Sequence, residues 1–203
     1  MTHGVRLNLQ DESFAGATSP TAVATNPQMN AIVQLWVDSA NDALRAPVDR
    51  VFAGAGLRFE AWLVSESVPL RNTLHTPGLP THGLSQMVFL TAPEGMSWDE
   101  WRTIWHDVQT PVAIETQSNF EYRQNLVTRR LGENSGRYHA IIEECFPEAA
   151  LTDMTAYFDA PGDPEKMQKN LQIMIESTGR FIDRDRMDCI RTRQYEVKPL
   201  TLP

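Results

Sequence analysis

Cysteines, long apolar runs and an excess of basic residues are scarce or missing in this sequence, and each shortage excludes a class of protein. The chain has only two cysteines, so we expect no disulfide framework and predict a reducing, cytoplasmic location. No apolar run reaches the roughly 20 residues needed to span a bilayer, and the N-terminus lacks the basic-then-apolar order of a signal peptide. A formal net charge of -8 argues against nucleic acid or an anionic membrane as the main partner.

Motifs for cofactors and for activated nucleophiles are also missing. The sequence has no P-loop, no G-x-G-x-x-G fingerprint and no G-x-S-x-G elbow, so nucleotide binding and hydrolase-type nucleophilic catalysis have no support. The histidines show no close pair with metal-ligand spacing, and the two cysteines are too far apart in sequence for a zinc knuckle. We therefore predict neither a metal nor another cofactor.

A tryptophan-rich segment is the most informative part of what is present. Ser97 and Glu100 form a capping box, which predicts that a helix begins here. Apolar side chains recur at three- and four-residue steps and predict one buried stripe: Trp98, Trp101, Trp105, Val108 and Val112. Arg102, His106 and Gln109 border this stripe, and Pro111 should interrupt the helical hydrogen bonds. A polar row beside an aromatic wall is typical of a pocket edge.

This helix resembles the signature helix of the EthD family, within the dimeric α/β-barrel (ferredoxin-like) superfamily. The matching residues are Trp101, Ile104, Trp105, Gln109, Thr110 and Pro111, and the similarity extends over roughly residues 83–198. The family usually has His where this chain has Gln109, so His106 is the nearest substitute for an acid/base role. The resemblance implies a homodimer and a small hydrophobic substrate.

The order of predicted elements indicates an α+β fold in which strands and helices alternate. We predict strands at residues 5–10, 31–37, 57–68, 84–91, 119–128, 152–159 and 189–198, a loop at 15–27, and helices at 42–52, 97–110 and 163–178. Pro47 should shorten or bend the helix at 42–52. Residues 138–147 are compatible with either a short helix or an irregular segment.

Two segments suggest an internal repeat. Trp36-Val37-Asp38 with Asp42 is similar to Tyr157-Phe158-Asp159 with Asp163, each interpreted as a strand end that leads into a helix. On this interpretation residues 1–70 are an incomplete ferredoxin-like repeat, 71–83 a linker and 84–203 a complete EthD-like domain. The two would pack as a pseudo-dimer, a ferredoxin-like dimeric α/β barrel within one chain. The alternative is that an Asp between a strand and a helix is a common helix cap, so that the similarity needs no repeat.

Three residues are candidates for catalysis. His106 can exchange a proton near neutral pH, although it could equally be a partly exposed histidine bonded to a neighbour. Tyr122, on a strand that alternates cleanly, could donate its hydroxyl to a substrate oxygen, or be an ordinary core tyrosine. Glu115 follows the apolar run Val112-Ala113-Ile114, where burial would raise its pKa and suit it as a base; a surface glutamate is the alternative.

Other residues are candidates for binding only. Gln109 and Asn125 can orient a carbonyl but cannot shuttle protons. Gln86 and Phe89 face opposite ways by strand parity, so at most one of them lines the cleft. Trp101 and Trp105 fit the core, with an edge available to an aromatic ligand.

The resemblance implies a cofactor-independent enzyme acting on a small hydrophobic, carbonyl-bearing compound. Cyclisation, dehydration, decarboxylation and isomerisation all remain open, as does a part in an oxidative degradation pathway. The alternative is a non-catalytic protein that binds a hydrophobic metabolite or assists an oxygenase system. A haem-binding relative is a third possibility and requires a buried axial histidine.

Overall fold

The computed structural model describes residues 2–10, 12–14, 16–133 and 135–201, and an antiparallel β-sheet dominates it. Its strands within these residues are β1 (Thr2–Leu9), β2 (Ala31–Val37), β3 (Trp62–Leu70), β4 (Leu84–Leu90), β5 (Glu121–Arg130), β6 (Ala140–Phe146) and β7 (Asp188–Lys198). They lie in the order β2-β1-β7-β4-β6-β5-β3. Strands from both sides of the predicted linker therefore belong to one sheet, and the division into two domains stays a prediction.

The α-helices of the described residues are α1 (Asp42–Gly54), α2 (Trp98–Thr103), α3 (Thr110–Thr116), α4 (Met154–Tyr157) and α5 (Pro164–Thr178). A π-helical segment, Ile104–Gln109, joins α2 to α3 without a break. Ser97 caps α2 by accepting a hydrogen bond from the Glu100 amide, as the capping box predicts. Short 3-10 turns occupy Glu12–Phe14, Glu148–Leu151 and Arg184–Arg186.

The C-terminal part has the ferredoxin-like arrangement. Its chain order is β4, a helix, β5, β6, a helix and β7, and the strands pair in the order β7-β4-β6-β5. The α2 to α3 segment and α5 cover one face of this sheet. The core on that face contains the fully buried Trp101, Trp105, Tyr122 and Phe181. The indole of Trp101 donates a hydrogen bond of 2.9 Å to the Phe181 carbonyl, which ties the helix to the segment after α5.

The sheet curls, so that its N-terminal strands reach over the face that the helices leave free. Arg6 on β1 donates hydrogen bonds of 3.2 Å to Glu121 and 3.1 Å to Glu143, although three strand steps separate β1 from β6. Asn8 and Gln34 also donate to Glu143, and Arg123 pairs with Glu121 and Glu66. We call Arg6, Glu121, Arg123 and Glu143 the Arg6 cluster; all four side chains are buried.

The structure corrects three predictions about elements. Residues 152–159 do not form a strand: Asp153 caps the short helix α4, so Tyr157 ends a helix and the second half of the proposed repeat loses its strand. The strand needed to complete the sheet is instead β6, which lies within residues 138–147, the segment compatible with a short helix or an irregular structure. Pro47 lies inside α1, which continues to Gly54. The third predicted strand begins at Trp62 rather than at residue 57. Ala15, where the predicted loop starts, lies outside the described residues.

Candidate active site

A row of polar side chains crosses the helix-covered face of the sheet. Gln86 on β4 and Tyr122 on β5 are both register partners of Glu144 on β6. Directly opposed residues on antiparallel strands have Cβ atoms about 5 Å apart and project to the same face. Tyr157 of α4 and Asn119 approach the row from the side of the helices. We call Gln86, Tyr122, Glu144, Tyr157 and Asn119 the sheet–helix cluster.

Sequence reasoning missed three members of this cluster, and Glu144 is the most important of them; the others are Tyr157 and Asn119. The Glu144 side chain is buried, and among the described residues no Lys, Arg or His lies within ion-pair distance. Burial raises the pKa of its carboxyl from 4.5 to about 7, against the opposing effect of hydrogen bonds from Asn119 and Gln86. The Asn119 amide lies 3.4 Å from the carboxylate. A carboxyl with this pKa can both take up and release a proton near neutral pH.

The hydroxyl of Tyr122 keeps its proton. Burial raises its pKa above the usual 10, and the neighbouring Glu144 carboxylate raises it further. Hydrogen bonding with Trp105, Thr110 and Gln124 works in the opposite direction but is weaker. Tyr122 can therefore donate a hydrogen bond at any ordinary pH, which is the role required to polarise a substrate oxygen.

Tyr157 and Gln86 close the other end of the row. The Gln86 amide donates to the Tyr157 hydroxyl at 3.1 Å, and that hydroxyl lies 3.4 Å from the Gln86 amide oxygen. The Tyr157 ring stacks on Phe146, with ring centroids 4.5 Å apart. Burial raises the pKa of Tyr157 well above its usual value, and Glu144 adds to this. Glu144 thus lies between two protonated phenols.

The π-helical segment positions the helix side of the site. Pro111 has no amide hydrogen, and its ring would clash with the carbonyl four residues earlier in a regular α-helix. The wider π turn accommodates it, and the Thr110 hydroxyl donates to the Trp105 carbonyl at 3.0 Å. The Gln124 amide in turn donates to Thr110 at 2.6 Å, which links β5 to the helix. Single π turns within α-helices are frequent at functional sites.

The predicted helix residues are buried or half-buried, and the two tryptophans share a core with Tyr122 of the cluster. Trp101 and Trp105 are fully buried in the core beside Tyr122. Gln109 is buried, its amide is 3.5 Å from the Met174 sulfur, and its amide oxygen has no hydrogen-bond partner among the described residues. His106 is half-buried with an unpartnered Nε2, and its ring centroid is 4.5 Å from that of Trp105. Burial lowers the pKa of His106, the Arg102 charge lowers it further, and Asp107 opposes both.

Three predicted residues lie apart from the cluster. Phe89 faces the other side of the sheet, where its ring packs against Trp62 and Tyr138. Asn125 alternates with Tyr122 on β5 and therefore projects to that same opposite side. Glu115 is exposed on α3, so the burial expected to raise its pKa is absent. The prediction that Gln86 and Phe89 face opposite sides of the sheet is confirmed, whereas the catalytic and binding roles of all these residues stay predictions.

A hollow of about 250 Å³ opens beside β7, next to the cluster. Cys189, Arg191 and loop residues that include Phe14, Thr21 and Val23 line it. Burial raises the pKa of the Cys189 thiol to about 12, and the Glu144 carboxylate contributes to this shift. Cys189 therefore lines the hollow and lies within electrostatic range of Glu144. Within the described residues no group of three His, Cys, Asp or Glu side chains is arranged to hold a metal ion.

The fold and this cluster define a class: an α+β protein whose ferredoxin-like domain buries titratable groups between its sheet and its helices. Residues 93–185 match the model of the EthD domain. This part of the chain is thus an EthD domain, as its tryptophan helix predicts. A comparison with curated proteins found no match. None of the described helices is long and apolar enough to cross a membrane.

Proposed function

We propose that this protein catalyses proton transfer on a small hydrophobic, carbonyl-bearing compound without a cofactor. The observation that carries the proposal is the row in which Glu144, with a pKa of about 7, stands opposite the protonated Tyr122. Tyr122 would donate a hydrogen bond to the carbonyl oxygen of the substrate. Glu144 would remove a proton from the adjacent carbon, and the negative charge that forms on the oxygen would be stabilised by the tyrosine hydroxyl.

Other groups support this assignment of roles. The buried amide oxygens of Gln109 and Asn119 have no partners among the described residues, so they can accept hydrogen bonds from a substrate hydroxyl. The indoles of Trp101 and Trp105 provide the apolar surroundings that suit an aromatic or polyketide-like compound. The hollow beside Cys189 is the access route that we propose. Cyclisation, dehydration and isomerisation can begin with this removal of a proton, whereas decarboxylation ends with the return of a proton to the corresponding carbon.

The experiment measures deuterium uptake, because uptake reports proton transfer before the natural reaction is known. The purified protein is incubated in D₂O with a panel of small aromatic and aliphatic ketones, and exchange at the carbon next to the carbonyl is followed by proton NMR. We expect exchange above the buffer rate for at least one ketone, rising as the pH increases through about 7. Glu144→Gln should abolish this exchange. The matched control is Glu165→Gln on α5, in which an exposed carboxylate is removed and the rate should be unchanged.

A non-catalytic binder is the second candidate, and Gln109 is the observation that favours it. Gln109 stands where the resemblance leads us to expect a histidine, and an amide cannot transfer protons. Quenching of tryptophan fluorescence by a ketone that shows no deuterium uptake would support the binder. If no ketone in the panel bound to the protein or took up deuterium, both candidates would be contradicted.

We also propose that the N-terminal strands replace the second sheet of a dimeric α/β barrel. The Arg6 cluster supports this, since side chains from β1 meet carboxylates of β5 and β6 on the face without helices. The pseudo-dimer predicts that this face is closed within a single chain. Any homodimer must then use another surface.

A further inference from the structure

Trp105 is a fully buried tryptophan whose indole N–H has no hydrogen-bond partner among the described residues. Two other tryptophans show what such a group normally does. The indole N–H of Trp101 donates to the Phe181 carbonyl at 2.9 Å. That of Trp62 donates to the Gly136 carbonyl, also at 2.9 Å. Because buried polar groups are normally paired, the Trp105 N–H is a donor that lacks its acceptor.

Gln109 has the complementary deficit one helical turn later. Its amide oxygen is buried and accepts no hydrogen bond within the described part of the chain. Its amide nitrogen is 3.5 Å from the sulfur of Met174 on α5, so the oxygen points away from that sulfur. Residues four apart on a helix have Cβ atoms about 5–6 Å apart and share a face. Trp105 and Gln109 therefore place an unpaired donor beside an unpaired acceptor.

The Trp105 donor lies next to the hydroxyl of Tyr122. Both side chains belong to the same buried core. The indole N–H is close enough to the Tyr122 hydroxyl to lower the pKa of the tyrosine, but the two groups do not meet the geometry of a hydrogen bond. The N–H thus keeps its capacity to donate, and an oxygen atom held by Tyr122 is within its reach.

We propose that Trp105 and Gln109 recognise a substrate that carries a free hydroxyl group near its carbonyl group. The proposal rests on the proposed function, in which Tyr122 donates to the carbonyl oxygen. The Trp105 N–H supplies a second hydrogen bond to that oxygen, where negative charge develops during proton transfer. The Gln109 amide oxygen accepts a hydrogen bond from the hydroxyl group.

The spacing of the two residues indicates where the hydroxyl lies. An aryl ketone with an ortho hydroxyl forms a hydrogen bond to its own carbonyl, so that hydroxyl is not free. A meta hydroxyl is free and is separated from the carbonyl oxygen, as the step of about 5–6 Å between Trp105 and Gln109 requires. A ketone without the hydroxyl would leave the Gln109 oxygen buried and unpaired, which a site of this kind discriminates against.

The first test compares the affinities of three ketones by titration calorimetry: acetophenone, 3′-hydroxyacetophenone and 3′-methoxyacetophenone. We expect the hydroxy ketone to bind at least about tenfold more tightly than the other two. In Gln109→Leu the three affinities should become equal to within about twofold. The matched control is Gln168→Leu, an exposed glutamine on α5, in which the preference should persist. The ratio reports recognition, because a loss of packing would weaken all three ketones alike.

The second test uses the wild-type protein and follows the indole N–H signals by NMR. The chain has five tryptophans, and Trp105→Phe identifies the signal of Trp105 by its loss. Binding of 3′-hydroxyacetophenone should move this signal downfield, because its N–H gains an acceptor. The signals of Trp101 and Trp62 should stay nearly in place, since their N–H groups are already bonded.

Deuterium uptake separates this proposal from the proposed function. Uptake by acetophenone with equal affinities for the three ketones would overturn the recognition by Trp105 and Gln109 and leave the proposed function intact. A hydroxyl preference that disappears in Gln109→Leu, without uptake by any ketone, would support the recognition and contradict the catalysis. A preference that persists in Gln109→Leu, or a Trp105 signal that does not move, would overturn the proposal. Absence of binding by all three ketones would overturn it as well.

Discussion

Glu144 and Tyr122 lie directly opposite each other on neighbouring antiparallel strands, and both project toward the tryptophan helix. Burial raises both pKa values, but with different results: the tyrosine keeps its proton throughout the ordinary pH range, whereas the glutamate exchanges its proton near pH 7. Enolisation of a carbonyl compound requires a hydrogen-bond donor for the oxygen and a base for the proton, and this row contains both.

The first prediction concerns the pH dependence of stability. Below about pH 4.5 Glu144 is protonated in both states; between 4.5 and about 7 the folded state keeps a proton that the unfolded state releases. This raised pKa therefore stabilises the fold at low pH, and the contribution, about 3 kcal/mol, is lost as the pH rises through about 7. Urea unfolding from pH 4.5 to 8 should show a difference between wild type and Glu144→Gln that changes across this window.

Glu165→Gln is the control for that measurement, because it removes an exposed carboxylate and leaves Glu144 in place. Parallel curves for wild type and Glu144→Gln would contradict the raised pKa of Glu144.

The second prediction concerns the hydroxyl of Tyr122. Tyr122→Phe removes the donor to the substrate oxygen but leaves Glu144 in place. For a ketone that wild type deuterates, we expect the rate constant of exchange to fall by about 10² to 10³. The pH at which the rate reaches half its maximum should stay near 7, since Glu144 still sets it. Tyr195→Phe, a change on β7 away from the cluster, should have no effect on the rate. An unchanged rate in Tyr122→Phe would exclude the proposed role.

The third prediction concerns the Arg6 cluster. Arg6→Met leaves the buried Glu121 and Glu143 without the charge of Arg6, and removing one partner of a buried ion pair costs about 3–5 kcal/mol. The measurement is the free energy of unfolding in urea at pH 7. The double variant Arg6→Met with Glu143→Gln should recover part of the loss, because one carboxylate is then neutral. A loss below about 1 kcal/mol in the single variant would show that the charges are not in contact.

The fourth prediction compares two tryptophans of the same helix. Trp101→Phe loses the hydrogen bond to the Phe181 carbonyl and leaves a small cavity, so we expect unfolding to become easier by about 2–4 kcal/mol. Trp98→Phe, at a side chain that is 42% exposed, should change the free energy by less than about 0.5 kcal/mol. Equal effects for the two variants would contradict the packing of the helix.

Local patterns were sufficient to predict much of this fold. The capping box located the start of α2, and strand parity assigned Gln86 and Phe89 to opposite faces of β4. The EthD helix motif identified the domain. Each of these signals depends on residues close together in sequence, where spacing alone determines geometry.

The failures came from contacts that are distant in sequence. Strand β6 contains two consecutive acidic residues, Glu143 and Glu144, which argue against a buried strand unless their partners are known. Glu143 is compensated by Arg6, which is 137 residues away. Glu144 has no compensating cation among the residues that the structure describes, and a buried carboxyl of this kind is identified only from the packing around it. Segment 152–159 shows the opposite error, since the cap made by Asp153 outweighed the strand preference of its aromatic residues.

Glu143 and Glu144 are adjacent in the chain, yet the sheet separates them completely. Burial favours the neutral form of both, but the Arg6 charge and neighbouring amides lower the pKa of Glu143, whereas Glu144 has only the weaker effect of the Asn119 and Gln86 amides. Shifting the register of β6 by a single position would exchange these environments. Glu143 would then lie among aromatic rings without its counterion, and Glu144 would face the Arg6 side of the sheet. The alignment of this one strand is accordingly what keeps a permanent anion on one side of the sheet and a reversible acid on the other.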